Sequence, residues 1–104
     1  MRRTIAVLVF LLFLSVSASA LAQPDGLYDR ALYLYVKGDF RGAEKALKEY
    51  LKRRPEPSAY YLLGYALYEQ RRFSEAIRYF EEAYLIEPGF VPKKIDFDRA
   101  RKLR

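Results

Sequence analysis

Proton transfer, nucleophilic attack and metal ligation near neutral pH draw first on histidine and cysteine, and this 104-residue chain contains neither. What it offers instead is carboxylates and phenols. Glu44, Glu49, Glu75 and Glu82 stand beside Lys45, Lys48, Arg71 and Arg78 on stretches of helical spacing. That is the pattern of ordinary solvated ion pairs, each contributing roughly a few tenths of a kcal/mol. Asp96 and Asp98 place two carboxylates on a short segment, whereas calcium takes about six to eight oxygens. No glycine-rich phosphate loop occurs. The expectation is a non-enzyme with no cofactor and no metal. The ten tyrosines are the side chains left with functional capacity, because a rigid ring with a hydroxyl suits an interface at modest entropic cost.

What positions those tyrosines is an internal repeat. Tyr28, Leu34, Tyr35, Phe40, Ala43, Glu49 and Pro55 return 33 residues later as Tyr61, Leu67, Tyr68, Phe73, Ala76, Glu82 and Pro88. Each unit holds two stretches of helical periodicity and closes on a proline, so neither can bury its apolar face without a neighbour. The first unit predicts helices over 25–37 and 40–53. Between them Gly38 takes the left-handed conformation that ends a helix, and Asp39 caps the next. In the second unit Pro57 suits a first helical turn, the helix continues through 60–70, Arg71 and Arg72 turn the chain, and a partner helix runs over 73–86. An arginine at positive φ costs on the order of 1 kcal/mol, so this corner is expected to be tighter or less ordered than the first. Leu63, Gly64 and Leu67 share one face and Ala76, Phe80 and Ala83 the facing one, with Gly64 and Ala76 small enough for close approach. Phe73 should cover the open end of this hairpin, and Phe80 should reach toward the following element.

Tyr60, Leu63, Gly64, Leu67, Phe73, Ala76, Phe80, Ala83 and Pro88 fall at spacings that resemble the tetratricopeptide repeat signature, with Tyr60 where tryptophan is common. The first unit follows it more loosely through Leu27, Ala31, Leu34, Phe40, Ala43, Leu47 and Pro55. Arg30 stands there in place of a leucine and Tyr50 in place of a small residue. The first departure suits an outermost helix. The second should push the first hairpin slightly away from the second. The family period is about 34 residues, and the junction after Pro55 is one shorter here. Ankyrin repeats share a period of about 33 but need a Thr-Pro-Leu-His turn that is missing. The resemblance implies an all-α fold of tandem antiparallel helix hairpins, an α-solenoid, with a C-terminal capping helix. In domain terms this gives a leader over 1–22, repeats over 23–56 and 57–90, and a basic cap or tail over 91–104. In the cap, Pro92 opens the first turn or Asp96 caps a shorter helix, and Phe97, Ala100 and Leu103 bury against Phe80 and Tyr84.

By the same resemblance a peptide partner lies across the first helix of each hairpin. The groove residues are then Tyr28, Leu32, Tyr35, Tyr61, Tyr65, Tyr68 and Glu69. Buried aromatic anchors contribute about 2 kcal/mol or more each at such interfaces. The family's carboxylate clamp of lysines and asparagines is missing, which argues against an acidic C-terminal peptide. Two readings stand: an adaptor that grips a segment of another protein, and a homo-oligomer whose groove closes on its own copy.

The first residues bear on where this happens. Arg2 and Arg3 precede an apolar run from Ile5 to Leu14, then small residues through Ala18, Ser19, Ala20 and Ala22, the order of an export signal cut after Ala22. A retained anchor is the competing reading, although the run is shorter than the roughly 20 residues of a spanning helix. The twin-arginine route fits poorly, because Thr4, Ile5 and Ala6 follow the arginines. Absence of cysteine removes disulfides and a lipid-modified leader, and absence of asparagine removes N-glycosylation. The expectation is a periplasmic or secreted bacterial protein. Without the leader, 17 basic and 13 acidic residues remain, and the surplus lies after Gly89. Export argues against nucleic acid as a partner. Membrane contact is expected only through the leader or weakly through the basic tail, whose cations also suit a helix C-terminus.

Overall fold

The computed structural model describes residues 24–102, so the leader expected over 1–22 lies outside the described residues. Four helices follow one another as two hairpins: α1 (Pro24–Lys37) with α2 (Phe40–Leu51), then α3 (Pro57–Glu69) with α4 (Phe73–Ile86). A 3-10 turn (Pro92–Lys94) and a short α5 (Phe97–Lys102) complete the order. Each of the first four helices packs on the next, α2 joining the hairpins by lying against α3. The fold is all-α, as the repeat demands.

Both corners use one device. After α1, Gly38 adopts φ 88°, its N–H donates to the Tyr35 carbonyl (3.0 Å), and the Asp39 N–H reaches the Leu34 carbonyl (2.8 Å). After α3, Arg71 adopts φ 62°, its N–H donates to Tyr68 (2.9 Å), and the Arg72 N–H donates to Leu67 (3.0 Å). These are the paired bonds of a Schellman stop, made once with glycine and once with an arginine that bears the left-handed penalty. The second corner therefore repeats the first rather than tightening. Beyond it, Asp39 Oδ1 accepts the Gly42 N–H (2.9 Å) and caps α2, whereas Arg72 provides no side-chain cap for α4. Pro57 opens α3, where a missing N–H leaves no intrahelical bond unmade.

The core is continuous through both hairpins, with Ala31, Leu32, Leu47, Tyr50, Ala59, Leu62, Leu63, Leu67 and Ala76 all buried. A Cβ on Gly64 would collide with the ring of Phe80, so the glycine is what lets that ring sit against α3. Phe80 packs onto Gly64, Tyr61 (5.8 Å between centroids) and Tyr65 (5.4 Å). Tyr50 fills the hairpin junction at 3% exposure, tilted against Tyr28 at 5.5 Å, and its hydroxyl donates to Glu56 (2.7 Å).

The C-terminal segment takes a different path from the one expected. Among the described residues, α5 packs on α1 and makes no contact with α4. Phe97 meets Tyr35 (5.5 Å), not Phe80 or Tyr84, and Tyr84 is left exposed. The side chains of Ala100 and Leu103 lie outside the described residues. Pro92 opens the 3-10 turn, and α5 begins directly after Asp96. The physical reason is competition between apolar seats. Ile95 is 4% exposed within the main core and Phe90 stacks on Tyr61 at 5.4 Å, so two anchors draw the chain across the inner wall.

Candidate functional site

The helices that open the two hairpins, α1 and α3, present Tyr35, Tyr61 and Tyr65 on the side where the C-terminal segment crosses. Tyr35 of α1 packs on Phe40 (5.3 Å) and on Phe97, and Tyr65 of α3 packs edge-on to Phe80. Between them lies a cavity of about 600 Å³. Its apolar wall is Tyr35, Val36, Phe40, Tyr65 and Phe97, with Pro92 at the rim. Glu69 stands on the α3 side, while Lys93 and Arg101 come from the C-terminal segment. The cavity is thus lined largely by aromatic rings and carries charges of both signs.

Of the residues expected in the groove, Tyr35, Tyr65 and Glu69 meet in this cavity. Tyr61 is half-buried under Phe90, Tyr28 is half-buried against Tyr50, and Tyr68 is 56% exposed beside Phe73 (5.0 Å). Leu32, at 1% exposure, belongs to the core and presents no surface. Val36, Phe40, Pro92, Lys93, Phe97 and Arg101 also line the cavity, none of them expected from the sequence. The available signal was Phe90, Ile95 and Phe97, large apolar residues set among the charges of the tail.

Burial, the Glu69 carboxylate and Tyr65 together raise the Tyr35 hydroxyl above its ordinary pKa, and burial followed by Tyr61 raises that of Tyr65. Both phenols therefore stay protonated, as hydrogen-bond donors, far above neutral pH. Neither is activated as a nucleophile or base.

A second polar cluster joins the hairpins on another face. Glu44, only 9% exposed, accepts from Lys48 (2.8 Å) through Oε2, and from Gln70 (3.1 Å) and Arg72 (2.7 Å) through Oε1. Arg72 also grips Glu75 with two bonds (3.0 and 2.7 Å). Burial works to raise the Glu44 carboxyl, and the bonds from Lys48, Gln70 and Arg72 outweigh it, holding the carboxyl below its usual range. Expected as a solvated surface pair, Glu44 is instead a clasp between units. Its partners 26 and 28 residues away were invisible to an i,i+4 reading. Glu49 pairs on the surface with Lys52 (2.8 Å).

Among the described residues no group of three or more His, Cys, Asp or Glu is placed to hold a metal ion, and no helix is long and apolar enough to cross a membrane. A family model described as tetratricopeptide repeat matches residues 28–91. Searches of curated proteins and of solved structures return no match. The matched span takes in the corner devices of both hairpins and the Gly64–Phe80 contact described above. The chain belongs to the tetratricopeptide repeat family, whose members are typically non-enzymatic modules that bind other proteins.

Proposed function

We propose that this protein is an exported bacterial adaptor that holds a peptide segment of an envelope or secreted partner in the aromatic cavity between α1, α3 and the C-terminal segment. The observation that carries the reading is the cavity itself. Tyr35, Tyr65 and Phe97 offer ring faces and edges for an apolar side chain, while Glu69, Lys93 and Arg101 suit a ligand carrying both signs of charge. Rings held by neighbouring rings need little ordering when a ligand arrives, which is where affinity is otherwise lost.

Export rests on the leader: two arginines, an apolar run and small residues before Gln23. A periplasmic or secreted location follows, and the cysteine-free composition suits a protein that folds there without disulfides.

A photoreactive residue at position 65, introduced into the full chain in its own cells, tests the binding reading. Crosslinks to an envelope or secreted protein are expected, and they should disappear when Glu69→Lys and Lys93→Glu are combined. Crosslinks that persist in that double variant contradict the cavity as the site. N-terminal sequencing of the recovered protein tests export separately: Gln23 is the expected first residue, and an intact Met1 contradicts cleavage.

A further inference from the structure

The outward face of α4 carries a shallow depression formed by Ile77, Phe80, Glu81, Tyr84 and Leu85. Among the described residues α4 touches no helix but α3. Leu85 is 73% exposed, and Ile77 and Tyr84 are exposed as well.

The internal repeat shows what such a surface is built to do. Thirty-three residues earlier the same positions are Glu44, Leu47, Lys48 and Leu51 of α2, the helix that seats α3, and Lys52 just after it. Glu44 makes that junction through Gln70 and Arg72. On α4 the counterparts of Glu44 and Lys52 are Ile77 and Leu85, so the second seat is the more apolar of the two. An apolar helix seat at the end of a repeat array, where a polar outer face would keep the array soluble, calls for an occupant.

The chain's own α1 is a poor one. Where α3 is fully buried at Ala59, Leu62, Leu63 and Ala66, the equivalent positions of α1 are Gly26, Asp29, Arg30 and Tyr33, with Arg30 exposed and Lys37 lying over the Tyr33 ring at 5.6 Å. Head-to-tail stacking of copies would set this polar face into an apolar seat. A second α4 fits better. Glu81 stands inside the depression and Arg78 lies three residues before it. Neither belongs to an ion pair among the described residues. Antiparallel apposition about a two-fold axis brings each Arg78 beside the Glu81 of the other copy, twice over, with Ile77, Tyr84 and Leu85 closing around them.

We propose that the outward face of α4 is the interface of a two-fold homodimer, held by Ile77, Tyr84 and Leu85 and by reciprocal Arg78–Glu81 pairs. The surface is self-complementary, as an isologous contact requires, and the polar outer face of α1 stops it from growing into a filament. It lies apart from the aromatic cavity and leaves one cavity free on each copy.

The full chain, purified as its cells process it, tests this by light scattering. Twice the chain mass is expected, falling to one chain mass in Leu85→Glu, whose exposed position spares the fold. A dimer that survives Leu85→Glu, through the leader, the cavity or any other surface, overturns the proposal, as does a monomer at every concentration. Arg78→Glu and Glu81→Arg, each alone, should weaken association about tenfold or more by setting like charges together. Mixing these two variants should restore the dimer, because the mixed pair regains both opposite-charge contacts. A mixture as weak as its components contradicts the two-fold register. Normal association of Glu69→Lys with Lys93→Glu is also expected, and its loss would move the interface to the cavity.

Discussion

Tyr50 concentrates several consequences of one substitution in the family pattern. Where a small residue is usual, its ring fills the hairpin junction against Tyr28 and its hydroxyl donates to Glu56. Burial, with the Glu56 carboxylate as acceptor, pushes its pKa up to about 12 from an ordinary 10.0. The folded form thus holds the proton more tightly than the unfolded chain. Its contribution is complete below pH 10 and is lost as pH rises toward 12, a change on the order of 2–3 kcal/mol. Tyr50→Phe should cost about 1 kcal/mol at neutral pH and flatten the alkaline fall, as denaturant unfolding across that range would show. Glu44 gives the opposite signature. Its carboxyl is depressed in the fold, so its contribution is present above the unfolded value near 4.5 and disappears as pH falls through the lower folded value. Glu44→Gln should destabilise the protein by about 1–3 kcal/mol at neutral pH and blunt its acid sensitivity. Equal acid sensitivity in both proteins would remove Glu44 as the clasp.

At the scale of elements, the two corners make a matched pair in which one residue type differs. Arg71 occupies the backbone state that Gly38 takes freely. Arg71→Gly should therefore raise stability by roughly 0.5–1 kcal/mol, read as a higher unfolding midpoint with unchanged denaturant slope. A fall would mean that the arginine side chain contributes more than its backbone strain costs. The face between α3 and α4 predicts the reverse for the other sensitive glycine. Gly64→Ala drives a methyl into the Phe80 ring and should cost about 1–3 kcal/mol, and Gly64→Ala with Phe80→Leu should recover part of it. These elements were legible in the sequence because their signals are local. Gly38, Asp39, Pro57 and Pro88 punctuate the helices within a few residues of where they act, and Gly64 with Phe80 follows a family spacing. Helix ends moved by no more than a few residues, α2 stopping at Leu51 where 53 was expected.

Over the whole molecule, the path of the tail decides what the inner wall becomes. Phe90, Ile95 and Phe97 carry it over α3 and α1 and turn an open cradle into a lined cavity. That the tail buries Phe97 was legible beforehand, but not the face that receives it. The periodicity of a short tail says which of its residues are apolar, but not which of two apolar faces will receive them. The inner wall won by offering tyrosine rings for both phenylalanines, while the outward face of α4 stayed open. The same choice explains why Tyr61 is covered and why Lys93 and Arg101 line the cavity with Glu69. The central claim, that this cavity is where a partner binds, is tested most directly by the position-65 crosslink measured in parallel backgrounds. Loss of the crosslinked partner in Glu69→Lys with Lys93→Glu, and its retention in Leu85→Glu on the far face, is the predicted result. Retention in the first background, or loss in the second alone, would contradict it.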